Sequence, residues 1–234
     1  MRKLILLDLP IGNIGDITDR VKQALIEGQF FICEDTRNFQ QLMNALKIPT
    51  QGKKLMSFHD HSKTDAIQKI ISLTGEEVYL VSDAGNPLLS DPAWPIVQYI
   101  LSKGIALDVF PGPSSVTTAL SLSGLPPCPF MFHGFLPRGD GPIKKELAKI
   151  KPIKGTHIFF EAPPRMKQTF IIAQELFPQT SMSITRELTK WHQTVHRVSE
   201  KVDNLDLTAK GEMVFLIYID DYIYNFFNLN SMYS

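Results

Sequence analysis

Five short segments combine carboxylates, glycines and small polar residues: Pro10-Ile-Gly-Asn-Ile-Gly-Asp16, Glu34-Asp-Thr-Arg37, His59-Asp-His61, Ser82-Asp-Ala-Gly-Asn-Pro87 and Pro111-Gly-Pro-Ser-Ser115. Their acids can accept hydrogen bonds from ribose hydroxyls or an amino group. Their glycines let a ligand approach the main chain closely. Three later segments, Phe135-Leu-Pro-Arg138, Glu161-Ala-Pro-Pro-Arg165 and Arg186-Glu-Leu-Thr-Lys190, add cations and two more acids. No Gly-x-Gly-x-x-Gly follows the first apolar run, so a dinucleotide site is poorly supported, and there is no Walker A loop. No Gly-x-Ser-x-Gly elbow is present, and no cysteine pair has zinc spacing. His59 and His61 have no third ligand at a sensible spacing, so no metal site is expected. What remains suits a nucleoside-like, partly cationic ligand better than a polyphosphate.

The elements around these segments explain their placement. Residues 3–8, 30–33, 54–58, 78–82 and 107–110 read as buried strands. Helical spacing covers 16–27, 36–46, 64–73, 113–122 and a stretch ending at Ser102 that Asp91-Pro92 would open as N-cap and first-turn proline. Strand and helix alternate, which predicts a parallel α/β sheet with all five loops on its carboxyl edge, where open sheets bind ligands. The breaker-rich stretch Ser123-Gly-Leu-Pro-Pro-Cys-Pro129 reads as a domain boundary. Beyond it, strands over 130–133, 156–160, 181–185 and 213–219, helices over 142–150 and 165–176, and a strand pair over 192–202 predict a mixed α+β domain. The expected organisation is an N-terminal domain at 1–125, a C-terminal domain at 126–220 and a tail at 221–234. Met166, Met182 and Met213 are expected in the core.

Composition bounds the class. The 234 residues are 44% hydrophobic and 21% charged, with zero formal net charge, which is ordinary for a soluble globular protein. Residues 126–220 carry 13 basic and 10 acidic side chains, against 11 and 13 in residues 1–125. Such a balance does not mark a strong nucleic-acid binder by charge alone. The apolar run after Met1-Arg-Lys is too short for a signal peptide and is interrupted by Asp8. No run is long enough to span a membrane. Cys33 and Cys128 sit alone in apolar surroundings and are expected to be buried free thiols. A cytoplasmic location is expected.

The ordered set Pro-Ile-Gly-Asn-x-Gly-Asp, Glu-Asp-Thr-Arg, Val-Ser-Asp-Ala-Gly-x-Pro-Leu-x-Ser-Asp-Pro, Pro-Gly-Pro-Ser, Gly-Phe-Leu-Pro-Arg and Arg-Glu-Leu-Thr-Lys resembles the tetrapyrrole-methylase superfamily. It is most similar to the bacterial 16S ribosomal RNA cytidine 2′-O-ribose methyltransferases and covers about residues 4–219. The resemblance implies two α/β domains, with S-adenosylmethionine in the cleft between them, and a homodimer acting on ribosomal RNA or the small subunit. It implies cofactor contacts at Pro10, Ile11 and Gly12, at Asp83, Ala84, Gly85 and Leu88, and at Ser114, Ser115 and Glu161. Arg37, Arg138, Lys144 and Lys145 become candidate RNA contacts. Glu161, Arg165 and Lys190 are candidate catalytic residues, with Glu34, Asp35 and Glu187 as further candidate bases. Leu9 stands where the family has threonine, Asn86 and Ala93 where it has threonine and glycine, and Pro164 where it has histidine. Other readings are a same-fold methyltransferase for a tetrapyrrole, another small molecule or a protein, and a non-catalytic S-adenosylmethionine-binding module.

Overall fold

The structure, a computed structural model, describes residues 2–58, 77–90, 93–198 and 210–220. The helix expected over 64–73, the His59/His61 pair, the Asp91-Pro92 cap and the tail at 221–234 lie outside the described residues. The chain forms two compact units, Met1–Ser114 and Ser115–Ser234.

The first unit is built on β1 (Lys3–Leu7), α1 (Asp19–Glu27), β2 (Phe30–Cys33), α2 (Thr36–Ala45), β3 (Lys54–Ser57), β4 (Glu77–Val81), α3 (Trp94–Ser102) and β5 (Ala106–Phe110). Its strands lie in the order β3-β2-β4-β1-β5, and every described pairing is parallel. The strand sequences read as apolar runs because both faces are covered. Leu4, Leu6, Phe30, Ile32, Val78 and Leu80 point to one side with Ile96, Val97 and Ile100 of α3. Ile5, Leu7, Phe31, Cys33, Tyr79 and Val81 point to the other, with Val21 and Leu25 of α1 and Phe39 and Met43 of α2.

That split follows from topology. The β1-to-β2 crossover passes over β4, and the β4-to-β5 crossover passes over β1 in the opposite direction. Right-handed crossovers running in opposite directions place their helices on opposite faces. The chain therefore diverges between β1 and β4, and the carboxyl ends of these two adjacent strands flank a topological switch point.

The second unit contains α4 (Ser115–Ser123), β6 (Phe130–Phe135), α5 (Asp140–Ile150), β7 (Gly155–Glu161), α6 (Pro163–Leu176), β8 (Met182–Arg186), β9 (Thr194–Val198) and β10 (Met213–Ile219). The sheet order is β6-β7-β10-β8-β9. β6 and β7 are parallel, while β10 runs against both β7 and β8. The carboxyl ends of β6, β7 and β8 therefore share one edge. Ile143 and Leu147 of α5 and Met166, Phe170 and Ala173 of α6 cover one face, over Phe159, Met182, Ile184, Met213, Phe215 and Ile217. α4 packs against β8, β9 and β10.

Two expectations change. The helix expected over 16–27 begins only at Asp19, because Thr18 turns extended and its hydroxyl accepts from Val21 N–H as an N-cap. A short 3₁₀ turn, Ile14–Asp16, precedes it. The two compact units meet at Ser114/Ser115, and α4 packs on the second sheet. Cys33 is buried but Cys128 is exposed, since the breaker-rich stretch gives it no core to enter. Of the strand pair expected over 192–202, the described part is the single strand β9.

Candidate functional site

At the switch point the loops after β1, β2, β4 and β5 are tied to one another. Leu9 and Gly85 exchange two backbone hydrogen bonds, each 3.0 Å, bridging the β1 and β4 loops. Gly85 has φ +67, the left-handed region, and a Cβ there would sit 3.4 Å from Ile11 Cγ2. Asp8, at the end of β1, divides its carboxylate between two neighbours. Oδ1 accepts from Asn86 Nδ2 at 2.7 Å and Oδ2 from Gly112 N–H at 3.1 Å. One buried side chain thus holds the β4 and β5 loops together. Burial pushes its pKa up, and the bonds from Gly112 and Asn86 oppose the rise. A Cβ at Gly112 would come within 2.9 Å of the Asp8 carbonyl oxygen, so glycine is required there by close approach.

The β2 and β4 loops lock in the same way. Asp83 accepts from Asp35 N–H at 3.2 Å and from Asn38 Nδ2 at 2.6 Å. In return Asp83 N–H donates to Glu34 Oε2 at 3.1 Å. Ser82 Oγ donates to the Ala84 carbonyl, and Asn86 Oδ1 accepts from Leu88 N–H. Asp83 and Ala84 remain exposed while Ser82, Gly85 and Ile11 are buried. Leu88 packs against the core on the α3 side of the sheet. The field at this edge is negative. The Cys33 thiol is pushed up to about 12, first by burial and then by Asp83 and Asp35. Arg37 lies against Asp35 at 2.6 Å and is otherwise open to solvent. Its side-chain hydrogen bonds, then its backbone N–H, hold Asp35 down at about 2.

The sequence-derived residues of the second unit gather at the shared edge of β6, β7 and β8. Glu161, at the end of β7, is buried and fully engaged. Oε1 accepts from Ala162 N–H at 2.7 Å and meets Arg165 Nη2 at 2.5 Å, and Oε2 accepts from Thr169 Oγ1 at 2.8 Å. Arg165 also donates to the Pro137 carbonyl at 3.0 Å, pinning the loop after β6. Pro163 and Pro164 open α6, where missing N–H groups cost nothing. Lys190 contacts Glu187 at 3.0 Å and Glu212 at 2.8 Å. Burial alone would lower its pKa, but Glu212 and Glu187 outweigh that and raise it, so the ammonium stays charged. Arg138 and Lys145 are exposed, and Lys144 is paired with Glu175 at 3.0 Å.

Ser114 closes the first unit and Ser115 opens α4 of the second. The structure therefore draws Pro10, Ile11, Gly12, Asp83, Ala84, Gly85 and Leu88 into one locked loop cluster. Reading the sequence missed Asp8 and Asn38. The available signal for Asp8 was an acid ending an otherwise apolar strand.

The profile described as Tetrapyrrole (Corrin/Porphyrin) Methylases matches residues 3–202. The chain belongs to this family. A relative from Thermotoga maritima, named Ribosomal RNA small subunit methyltransferase I, is 38% identical over 88% of this chain and 93% of its own. A protein of the same name from Hydrogenobaculum sp. is 37% identical over 95% of this chain and 98% of its own. Solved structures with the same fold include a diphthine synthase, with TM-score 0.69 at 14% identity over 95% of this chain and 93% of that one. Another is cobalt precorrin-4 methyltransferase, with TM-score 0.66 at 16% identity over 92% and 94%.

Proposed function

We propose that this methylase uses S-adenosylmethionine to methylate a ribose 2′-hydroxyl of a cytidine in small-subunit ribosomal RNA. The reading is carried by the near full-length likeness to two proteins named Ribosomal RNA small subunit methyltransferase I, at 38% and 37% identity. The first unit fits a cationic nucleoside. It offers exposed carboxylate and backbone groups at a switch point, on loops already hydrogen-bonded into place. The negative field from Asp83 and Asp35, registered by Cys33, favours a positive ligand.

When bound, S-adenosylmethionine supplies a methyl group activated by its positive sulfonium. The chain's task is then largely alignment and exclusion of water. In this reading Asp83 accepts from the donor's ribose hydroxyls. Pro10, Ile11, Gly12, Ala84 and Gly85 offer backbone, Leu88 an apolar wall, and Ser114 and Ser115 hydroxyls. Lys190, kept charged by Glu212 and Glu187, stabilises the alkoxide that develops on the accepting oxygen. Glu161 and Arg165 act as positioning residues, because both Glu161 oxygens are already engaged. Arg37, Arg138, Lys144 and Lys145 serve as phosphate partners. Arg37 and Lys144 exchange exposed ion pairs, which are worth little, for RNA. A homodimer belongs to the same proposal, supported by the exposed Leu107 and Val109 on the edge strand β5.

Two measurements test it. Calorimetry should show S-adenosylmethionine binding that weakens at least ten-fold in Asp83→Ala, and unchanged affinity would remove the site assignment. Mass spectrometry of 16S RNA from a strain lacking the protein should show loss of one ribose methyl group on a cytidine. If every ribose methyl persists, the substrate assignment is wrong. A lysate given radioactive methyl donor would then separate a small-molecule or protein substrate from a binding module that labels nothing.

A further inference from the structure

The side chain of Trp191 is 100% exposed, although tryptophan is among the more buried residue types on average. Its backbone is nevertheless fixed. Glu187 and Thr189 adopt φ of +51 and +65, a left-handed conformation that non-glycine residues hold only when their surroundings impose it. Thr189 N–H donates to Gln193 Oε1 at 2.7 Å. Lys190 N–H donates to the Glu187 carbonyl and Gln193 N–H to the Lys190 carbonyl. Arg186 donates to the His192 and Lys210 carbonyls at 3.0 and 2.9 Å. The indole is thus displayed on a braced turn.

A second aromatic stands on the same edge. Phe135, at the end of β6, is 61% exposed and makes an edge-to-face contact with Phe160 at 5.3 Å between centroids. β6 and β8 are separated by β7 and β10, so their ends lie about 14 Å apart. Cations flank both rings. Arg138 follows Phe135, and Lys190 precedes Trp191.

We infer that this edge of the second sheet seats a single-stranded segment of the substrate RNA, with Trp191 and Phe135 as platforms for unpaired bases. Exposed aromatics interleaved with cations match the chemistry of single-stranded RNA, whose bases splay out and stack while its phosphates meet basic groups. The inference rests on the ribosomal RNA reading and names where that substrate is gripped.

The test uses the full chain. Only two tryptophans are present, so a Trp94→Phe background isolates the Trp191 signal. Adding a mixed-sequence single-stranded oligoribonucleotide should quench that fluorescence. With unmethylated small subunits, Trp191→Ala should raise KM about ten-fold to a hundred-fold, with kcat and S-adenosylmethionine affinity within two-fold of wild type. Trp191→Phe should restore most of the loss, and Phe135→Ala should show a smaller rise. The variant should keep its melting temperature, because no buried area is removed. The inference is overturned by wild-type KM in Trp191→Ala, by absence of quenching, or by a change in sedimentation that makes Trp191 a contact between copies. If wild-type protein methylates no small subunit, the functional reading has failed, and quenching by the oligoribonucleotide still decides the RNA seat separately.

Discussion

Asp8 shows how much one carboxylate can organise. Replacing it with alanine strips the acceptor from Asn86 Nδ2 and from Gly112 N–H. Each unsatisfied group costs about 1–3 kcal/mol. Asp8→Ala should therefore lower the urea midpoint and weaken S-adenosylmethionine at least ten-fold in the same preparation. Gly112→Ala should reproduce the binding loss from the backbone side, because its Cβ cannot share space with the Asp8 carbonyl. Wild-type affinity in either variant would show that the loops hold without this link. Asp83 was legible in the sequence because it sits in its own strand-end loop beside Gly85. Asp8 was not, because its partners lie 78 and 104 residues away and no local pattern reports them.

Between elements, the β7–α6 junction depends on Glu161. Glu161→Gln removes the charge facing Arg165 and should cost on the order of 3 kcal/mol in chemical denaturation. It should also loosen the loop that Arg165 pins through the Pro137 carbonyl, read as faster amide exchange at Arg138. A second link joins β6 to β7. His157 Nε2 donates to the Ile153 carbonyl at 2.8 Å, which leaves its Nδ1 to accept from His133 Nε2 at 2.9 Å. Burial lowers both pKa values from 6.5. His157 adds to the lowering at His133 and Glu146 opposes it, while the Ile153 bond opposes it at His157. The unfolded chain therefore binds more protons than the folded one below about pH 6.5, and stability falls as pH drops through that window. The urea midpoint should be lower at pH 5.5 than at 7.5, and His133→Gln should flatten the difference. An unchanged slope would remove the pair as its source. Elements with strong periodicity, such as β4 and α2, were readable. The start of α1 was not, because Asp16 and Ile17 fit the helical pattern and only the Thr18 cap decides against them.

For the molecule as a whole, zero net charge makes long-range attraction to RNA weak, so affinity must come from a few local contacts. If Arg37, Arg138, Lys144 and Lys145 meet phosphates, the logarithm of the RNA binding constant should fall with the logarithm of salt at a slope of about −3. A slope near zero would remove those four contacts. The alternation of strand and helix revealed the parallel sheet. It did not reveal which strands are neighbours, because pairing order depends on crossovers and not on local period. That order also sets a timetable for synthesis. β1 is made well before its neighbours β4 and β5, which begin at Glu77 and Ala106. A ribbon of Leu4, Ile5, Leu6 and Leu7 must wait on the ribosome without a partner until they emerge. Such delayed pairing is slow and invites chaperone capture. A nascent chain stalled before Ala106 lacks the strand whose following loop Asp8 ties to the β4 loop.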